Sequence, residues 1–325
     1  MAGIEITEEI RKKIEALEEK FNKRGQDLGS YLDGLLHSEF LTYWDYIHLD
    51  TLLSLQSPKT IYPDENIFII YHQITELYFK LSLLEMGHIC QGAKKENWST
   101  QQSLVKLKRI NNYFRALVHS FGIMIDGMDR EQFLKFRMAL LPASGFQSAQ
   151  YRKIEIHASD LENLVHQSQR DSFAKSTGQD LKTGYKNIYW KYGASNVESG
   201  EKTLTLKMFE EKYDKELFKL IESLRYSNLN HLLEEGYLPS DNEEMVQQLR
   251  TLDILVNVDW PLVHMKSAVR YLEQKDKDIA ATGGTNWKEY LPPSFQKRIF
   301  FPSLWSQEEK DNWGKNWVES ALRIK

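Results

Sequence analysis

Apolar residues recur every three or four positions along most of the chain, the spacing that places them on one face of an α-helix. The first such run predicts an amphipathic helix over residues 5–23, with apolar positions at Ile6, Ile10, Ile14, Leu17 and Phe21. We expect this helix to pack against a partner subunit. After a short linker, Thr42 is the predicted N-cap of a helix rich in aromatic residues, a stripe that is typical of a core.

The longest periodic run extends from about Asn66 to Gln91 and predicts a long helix with two buried faces. One apolar line consists of Ile67, Ile70, Ile74, Leu77, Leu81 and Leu84, and the second of Phe68, His72, Thr75 and Phe79. A single histidine on such a face is more often a hydrogen-bonded core residue than a ligand or a catalytic group, and both interpretations of His72 stay open.

A bend is predicted where helical periodicity stops at Pro142-Ala143-Ser144-Gly145 and resumes with Phe146. Arg137 lies just before this bend. Its guanidinium offers a fixed fork of donors that matches a carboxylate, and Ser144 adds an uncharged donor nearby. An arginine beside a turn is also commonly a solvated or capping residue, so the local chemistry leaves the role of Arg137 open.

A second histidine, His264, follows Pro261 by three residues. Proline suits the first turn of a helix, so His264 is predicted one turn inside it, on the face that Ala268 and Tyr271 continue. This geometry suits a metal ligand. Further on, the glycines after Thr282 could let backbone N–H groups approach an anion, which is a weak signal by itself.

Strand-like alternation is nearly absent and no internal repeat is present, so the fold class predicted is all-α. We expect one helical domain over residues 1–325. Glycines and polar residues interrupt residues 170–202, and its aromatic residues indicate a packed excursion, part helix and part loop, around residues 170–240.

The composition of the chain indicates which kinds of molecule it binds. A hydrophobic fraction of 41% and a net charge of −4, with both signs interspersed, predict a globular protein without a nucleic-acid or membrane partner. Cys90 is the single cysteine, which excludes an internal disulfide and a multi-thiolate metal site within one chain. An acidic start without an apolar signal segment adds to the expectation of a cytoplasmic protein.

The two histidines favour haem over other chemistry. A single neutral imidazole is a common axial ligand of haem iron, whereas zinc needs three or four side-chain ligands and no His-x-x-x-His or cysteine cluster is present. The sequence around Ser144 lacks the Gly-x-Ser-x-Gly turn of serine hydrolases.

Four segments carry a resemblance to a known family. They are Thr42-Tyr43 through Leu53, Phe68 through Leu77 with His-Gln-x-x-Glu-Leu, Phe136-Arg137 through Pro-Ala-Ser-Gly-Phe-Gln-Ser, and His264 with Thr282-Gly283-Gly284. In this order, and from about Leu41 to Trp305, the chain resembles the tryptophan 2,3-dioxygenases. The resemblance implies a homotetrameric, cytoplasmic, helical enzyme. It would bind one non-covalent haem b per subunit and use O2 to convert L-tryptophan to N-formylkynurenine.

The resemblance also implies roles for individual residues. His264 would be the proximal ligand of the iron, and His72 would be the catalytic histidine that binds the indole N–H. The remaining substrate-binding positions would be Phe68, Phe133, Arg137, Thr282 and, toward a neighbouring subunit's site, Tyr43, Tyr46 and Ile47. Arg137 would clamp the substrate carboxylate, and Ser144 and Gly145 would lie at the haem pocket.

Three departures from the family pattern are visible. Tyr78 stands where the family has tryptophan, Pro261-Leu262-Val263 replaces Arg-x-Arg before His264, and the interval from His264 to Thr282 is about one helical turn longer. Two alternatives therefore remain: a related haem-dependent oxygenase that hydroxylates a tyrosine-like or other aromatic substrate, and a helical haem-binding protein without catalysis. Arg137 together with His72 argues against the second, because haem storage needs no carboxylate anchor.

Overall fold

A computed structural model of the chain describes residues 6–38, 41–174, 180–195, 201–272 and 292–314. These residues are mainly helical and contain no β-strand; isolated antiparallel bridges join Val165 to Ile188 and Ser195 to Lys202. The all-α prediction is confirmed. Across the same ranges, no helix combines the length and the apolar character needed to cross a membrane.

The chain divides into two compact units, Met1–Ser57 and Pro58–Lys325. The single domain expected over residues 1–325 stays a prediction. The described part of the first unit forms α1 (Glu8–Asn22), α2 (Leu28–Leu36), α3 (Tyr43–Tyr46) and α4 (Leu49–Leu53). Gly25, at a φ of 63° that favours glycine, lies between α1 and α2, and the rings of Phe21 and Tyr31 join these helices at 5.0 Å.

The first unit leaves most of its apolar side chains in solvent. The predicted amphipathic helix is present as α1, but its apolar residues are exposed: Ile6, Ile10, Ile14 and Leu17. Thr42 caps α3 as predicted, accepting a bond from the Asp45 N–H, whereas the expectation that the aromatic stripe is core is wrong. Tyr43 and Tyr46 are 70% and 74% exposed. Leu28 is the one buried residue among those described in this unit.

The second unit combines long helices with short connecting ones. Its helices are α5 (Asp64–Gly92), α6 (Thr100–Ser120), α7 (Gly122–Asp126), α8 (Arg130–Phe136), α9 (Ala149–Ala158), α10 (Leu161–Leu164), α11 (Gln167–Ala174), α12 (Leu181–Lys186), α13 (Tyr189–Gly193), α14 (Leu204–Leu224), α15 (Leu229–Glu234), α16 (Glu243–Ile254) and α17 (Trp260–Leu272), with short helices at Pro293–Gln296 and Gln307–Asp311. Single 3-10 turns occupy Arg137–Leu140, Gly145–Gln147 and Pro302–Leu304.

The core of this unit forms where α5 packs against α6 and α9, and where α6 packs against α16. Fully buried side chains such as Met86 on α5 and Phe114 on α6 fill the space between these helices. A capping box starts α6: Ser99 Oγ accepts from the Gln102 N–H, and the Gln102 side chain accepts from the Ser99 N–H at 2.7 Å. Two N-terminal donors of the helix are thereby satisfied.

The sequence predicted two buried faces for α5, and in the single chain this prediction is wrong for one of them. The line of Phe68, His72, Thr75 and Phe79 faces the core side, with Thr75 and Phe79 buried. On the other line, however, five residues are 39–52% exposed: Ile70, Ile74, Leu77, Leu81 and Leu84. An apolar period of 3.6 identifies a face that avoids water, but it cannot tell a core from a surface that another molecule covers.

A charged network is buried between α9, α13 and the segment after residue 292. Glu155, fully buried, accepts a hydrogen bond from Arg152 Nη1 at 3.2 Å and forms an ion pair with Arg298. The Tyr189 hydroxyl donates to Glu155 at 2.5 Å and accepts from both arginines at 2.6 Å. Buried charges are costly unless they are paired, so separating these groups would be unfavourable. The network therefore holds α9, α13 and the segment after residue 292 together.

A second buried carboxylate, Asp253, ties the segment after residue 292 to α16. It accepts hydrogen bonds from the backbone N–H groups of Phe300 and Phe301, from the Trp305 indole N–H, and from the Asn257 amide. Burial raises the pKa of Asp253 to about 6, against the lowering effect of these donors. From Asp253 the helix continues through a π-helical turn, Leu255–Asp259, into α17 without a break.

Candidate functional site

His72 lies on the inner side of α5, where Phe68 precedes it by one helical turn. The two rings are in contact, with centroids 4.1 Å apart. The Nδ1 atom of His72 is 2.7 Å from the Phe68 carbonyl oxygen. A carbonyl oxygen can only accept, so Nδ1–H donates and Nε2 keeps its lone pair. Burial lowers the pKa of His72, which favours this neutral form.

His264 is on α17, one turn after Trp260. The predicted helix around His264 is present, but Pro261 lies within a helix that continues from α16, so its predicted place in a first turn is wrong. Its Nδ1–H donates to the Trp260 carbonyl oxygen at 2.8 Å, which again leaves the Nε2 lone pair available. The imidazole packs against the rings of Phe121 and Trp260, each with a centroid distance of 4.4 Å. Burial lowers the pKa of His264 to about 4, and the charge of His72 contributes to the same lowering.

Aromatic rings from α5, α8 and α17 form a continuous wall beside His72. Phe68 contacts Phe136 at 5.8 Å and Phe133 at 6.4 Å, and Phe133 contacts Tyr271 at 4.7 Å. The Tyr271 hydroxyl donates to the Met128 carbonyl oxygen at 3.2 Å, which holds that ring in place. Phe68, His72 and Phe133 are thus brought together, as their predicted roles require.

Arg137 is the first residue of the 3-10 turn that follows α8, one turn after Phe133. It is 4% exposed, and burial lowers the pKa of its guanidinium. An arginine has so high an intrinsic pKa that it stays charged at neutral pH despite this effect. A buried positive charge therefore follows Phe136, one of the residues of the aromatic wall, along the chain.

The predicted bend after Arg137 is present, and Ser144 shapes it. Its hydroxyl accepts from the Phe146 N–H at 3.3 Å, and the Gln147 side chain accepts from the Ser144 N–H at 3.3 Å. The Gln147 amide in turn donates to the Thr205 carbonyl oxygen. The contacts of Ser144 itself are local to the turn, so a haem-pocket role for Ser144 and Gly145 stays a prediction.

Four further predicted site residues lie outside the described part of the second unit. Tyr43, Tyr46 and Ile47 belong to the first unit, at α3 and its C-terminus. Thr282 lies outside the described residues. The substrate-binding roles of these four residues stay predictions.

Most of the sequence matches a known family. The sequence model of the family "Tryptophan 2,3-dioxygenase" matches residues 34–259, about two thirds of the chain. The chain belongs to the tryptophan 2,3-dioxygenase family. Relatives named tryptophan 2,3-dioxygenase from Bacillus thuringiensis subsp. konkukian and from Herpetosiphon aurantiacus are each 27% identical to it, covering 85% and 83% of this chain and 95% and 98% of the relatives. The protein of that name from Anaeromyxobacter sp. is 38% identical over 123 residues, or 38% of this chain and 45% of the relative.

His264 lies just beyond the residues that the family model matches, so its assignment depends on its own surroundings. Phe121 and Trp260, which hold its ring, were not predicted as site residues. Both belong to apolar helical lines that are typical of a core. The spacing of four residues between Trp260 and His264 is the signal that could have identified one of them.

The donor set at His264 fits the haem expected for this family. A neutral imidazole with Nδ1–H bound to a carbonyl and Nε2 available is the form that coordinates iron, and aromatic side chains suit a flat apolar macrocycle. Among the described residues, no three His, Cys, Asp or Glu side chains lie close enough together to hold a metal ion. The described residues thus contain two neutral imidazoles, on α5 and α17, each with an Nε2 lone pair that makes no bond along its own helix.

Proposed function

We propose that this chain is a haem-dependent dioxygenase that opens the indole ring of L-tryptophan between C2 and C3 with O2 and gives N-formylkynurenine. Membership of the tryptophan 2,3-dioxygenase family supports this reaction. The observation that carries the proposal is the pairing of His72 with His264. Both are neutral, both keep the Nε2 lone pair, and each lies against aromatic rings.

In this proposal His264 Nε2 holds the iron of a non-covalent haem b, one per subunit. When bound, the haem supplies the redox chemistry that makes O2 reactive. His72 Nε2 accepts the hydrogen bond of the indole N–H, which orients the ring and leaves the proton on the substrate until the ring opens. His72 therefore positions the substrate and is not an obligatory base.

Phe68 and Phe133 pack against the indole and exclude water from it. Arg137 pairs its two-pronged guanidinium with the substrate carboxylate, a contact that is strong because the arginine is buried. Thr282 would lie near the carboxylate and the ammonium group. Anchoring the polar end of the amino acid away from the ring fixes which indole bond faces the oxygen.

Haem-supplemented protein, reduced and supplied with isotopically labelled O2, tests the reaction. A Soret band and a product that carries two labelled oxygen atoms are expected from L-tryptophan. One labelled atom in the product, from L-tryptophan or from L-tyrosine, would favour the hydroxylating alternative instead. A protein without a Soret band would contradict both enzyme assignments and leave the helical fold without a haem function.

The role of His72 is tested by the change His72→Ser. We expect this variant to keep the haem content of the wild type and to retain measurable turnover at a lower kcat, because serine removes the orienting imidazole and not the cofactor. Tyr113→Ser on the neighbouring helix is a control for the general effect of losing a ring. Complete loss of turnover in a fully loaded His72→Ser variant would show that the imidazole is an obligatory base.

We also propose a homotetramer in the cytoplasm, in which Tyr43, Tyr46 and Ile47 reach a neighbouring subunit's site. The exposed apolar lines on α1 and α5 support association between copies. Light scattering should give a mass about four times the 38.2 kDa of the chain. Leu77→Glu, on the exposed line of α5, should lower that mass, whereas Lys219→Glu, an exposed substitution on α14, should not. A wild type that is monomeric at micromolar concentration would end this part of the proposal.

A further inference from the structure

The helical turn that precedes His264 is wider than an α-helical turn. In the π-helical stretch Leu255–Asp259, the N–H of Trp260 donates to the Leu255 carbonyl oxygen, five residues earlier. A π turn contains one residue more than an α turn, and π turns are often found at functional sites. Because each residue turns an α-helix by about 100°, this extra residue sets the direction in which every α17 side chain points.

Pro261 explains why a carbonyl in this turn needs a partner from outside the helix. Proline has no N–H, so residue 261 cannot continue the ladder with a bond to the Val256 carbonyl oxygen, five residues earlier. The Tyr151 hydroxyl, from α9, donates to that oxygen at 3.0 Å. Tyr151 thus supplies from another helix the donor that Pro261 lacks.

The same tyrosine is linked to the histidine through packed rings. Its ring contacts Phe79 at 5.5 Å, and Phe79 contacts Trp260 edge to face at 5.8 Å. The Trp260 carbonyl then accepts the bond from His264 Nδ1. A change in the π turn would therefore move both the ring and the carbonyl that hold His264.

We propose that Tyr151 is a positioning residue for His264: its hydroxyl caps the Val256 carbonyl that Pro261 leaves without an N–H donor, and this bond fixes the direction of the imidazole. The inference rests on the proposed haem function. It depends on Pro261, which the resemblance marks as a departure from the family pattern.

A double-mutant cycle separates this role from ordinary packing, because Tyr151 also lies 3.5 Å from the Arg298 guanidinium. Four haem-loaded proteins are compared: wild type, Tyr151→Phe, Pro261→Ala and the double variant. Alanine restores an N–H at residue 261, so the helix can satisfy Val256 by itself. Loss of the Tyr151 hydroxyl should then change the iron–histidine bond and haem retention when residue 261 is proline, and should not change them when residue 261 is alanine.

The readouts are the Fe–His stretching frequency of the ferrous protein, from resonance Raman spectra, and the rate at which haem is lost to apomyoglobin. In the proline background, Tyr151→Phe should shift or broaden the Fe–His band and speed haem loss by roughly five-fold, as expected for one hydrogen bond. In the alanine background, both effects should be close to absent. Tyr185→Phe, which removes a hydroxyl that donates to the Asp214 carbonyl oxygen elsewhere, is the matched control and should leave both readouts unchanged.

Every outcome of the double-mutant cycle either supports or contradicts the positioning role of Tyr151. Equal effects of Tyr151→Phe in the two backgrounds, or no effect in the first, would overturn the positioning role while leaving the haem function intact. A wild type that takes up haem but shows no Fe–His band would overturn it as well, because His264 would not be the ligand. A wild type without a Soret band would overturn this inference and the proposed function together.

Discussion

His72 and His264 are held by the same kind of bond, from Nδ1–H to the carbonyl oxygen of the residue four positions earlier. His157 in α9 makes the same bond to Lys153 at 2.8 Å, so the bond alone does not define the site. What distinguishes the first two is that each packs against aromatic rings, His72 against Phe68 and His264 against Phe121 and Trp260. His157 therefore serves as a control in which the local geometry is kept and the site is absent.

Replacing His264 by glycine should abolish the Soret spectrum of the haem-loaded wild type and lower haem affinity by at least about ten-fold, as expected when a metal ligand is lost. Added imidazole should restore the spectrum, because it can occupy the space and bind the iron. His157→Gly, the control, lowers helix stability by a similar amount because glycine is a poor helix former, and it should leave the Soret band unchanged. The proximal assignment would be wrong if His264→Gly kept the spectrum of the wild type.

Replacing Arg137 by lysine should keep the buried charge and lose the two-pronged contact. We expect kcat/KM for L-tryptophan to fall on the order of 10- to 100-fold, with haem content unchanged. Steady-state kinetics with the haem-loaded variant measure this. Arg115→Lys, an exposed substitution on α6, is the control for the exchange itself. Unchanged efficiency in Arg137→Lys would remove Arg137 from the substrate site.

The long helices were predictable because their apolar period is strong and local. The run predicted from about Asn66 to Gln91 is observed as Asp64–Gly92, and the helix predicted around His264 is observed as Trp260–Leu272. The contacts between distant segments were not predictable. Arg298 and Glu155 are 143 positions apart, and nothing in either neighbourhood specifies the partner.

The site was predictable to the extent that its residues carry unusual chemistry. His72 and His264 stand out as histidines on apolar faces, and Arg137 as an arginine before a bend. Phe121, Trp260 and Tyr151 do not, because an aromatic residue at helical spacing has the same pattern in a core and in a pocket wall. The π turn before His264 was missed for a related reason: Pro261 indicates a first turn of a helix just as well as an interruption within one.

The raised pKa of Asp253, about 6, predicts a specific dependence of stability on pH. The carboxyl binds its proton more tightly in the folded chain than in the unfolded chain. Its contribution to the free energy of unfolding is therefore fully present below about pH 4 and is lost as the pH rises through about 6. The loss should be on the order of 2–3 kcal/mol.

Urea unfolding of wild type and Asp253→Asn across this pH range measures the effect. The asparagine variant should be less stable overall, because its amide group cannot accept from the Phe300 and Phe301 N–H groups as both carboxylate oxygens do. It should nevertheless lack the decline between about pH 4 and 6. The exposed substitution Asp241→Asn should keep that decline. Parallel curves for wild type and Asp253→Asn would contradict the raised pKa.

Replacing Glu155 by glutamine should lower the free energy of unfolding by about 3–5 kcal/mol, because the shape is kept while Arg152 and Arg298 lose their buried counter-charge. Denaturant unfolding of the haem-free protein measures this loss. The same exchange at the exposed Glu216, paired with Lys153 at 2.6 Å, should cost less than about 1 kcal/mol. Similar losses at the two positions would show that the buried network contributes little.

The buried pairing of Glu155 with Arg152 and Arg298 also restricts how this sequence can diverge. A lineage that lost the glutamate first would bury both arginines without the carboxylate that they share, and one that lost both arginines first would bury the carboxylate without them. Either intermediate would be selected against before the compensating change arose. We therefore expect the three positions to change together. Related sequences should carry either all three charged residues or apolar residues at all three positions.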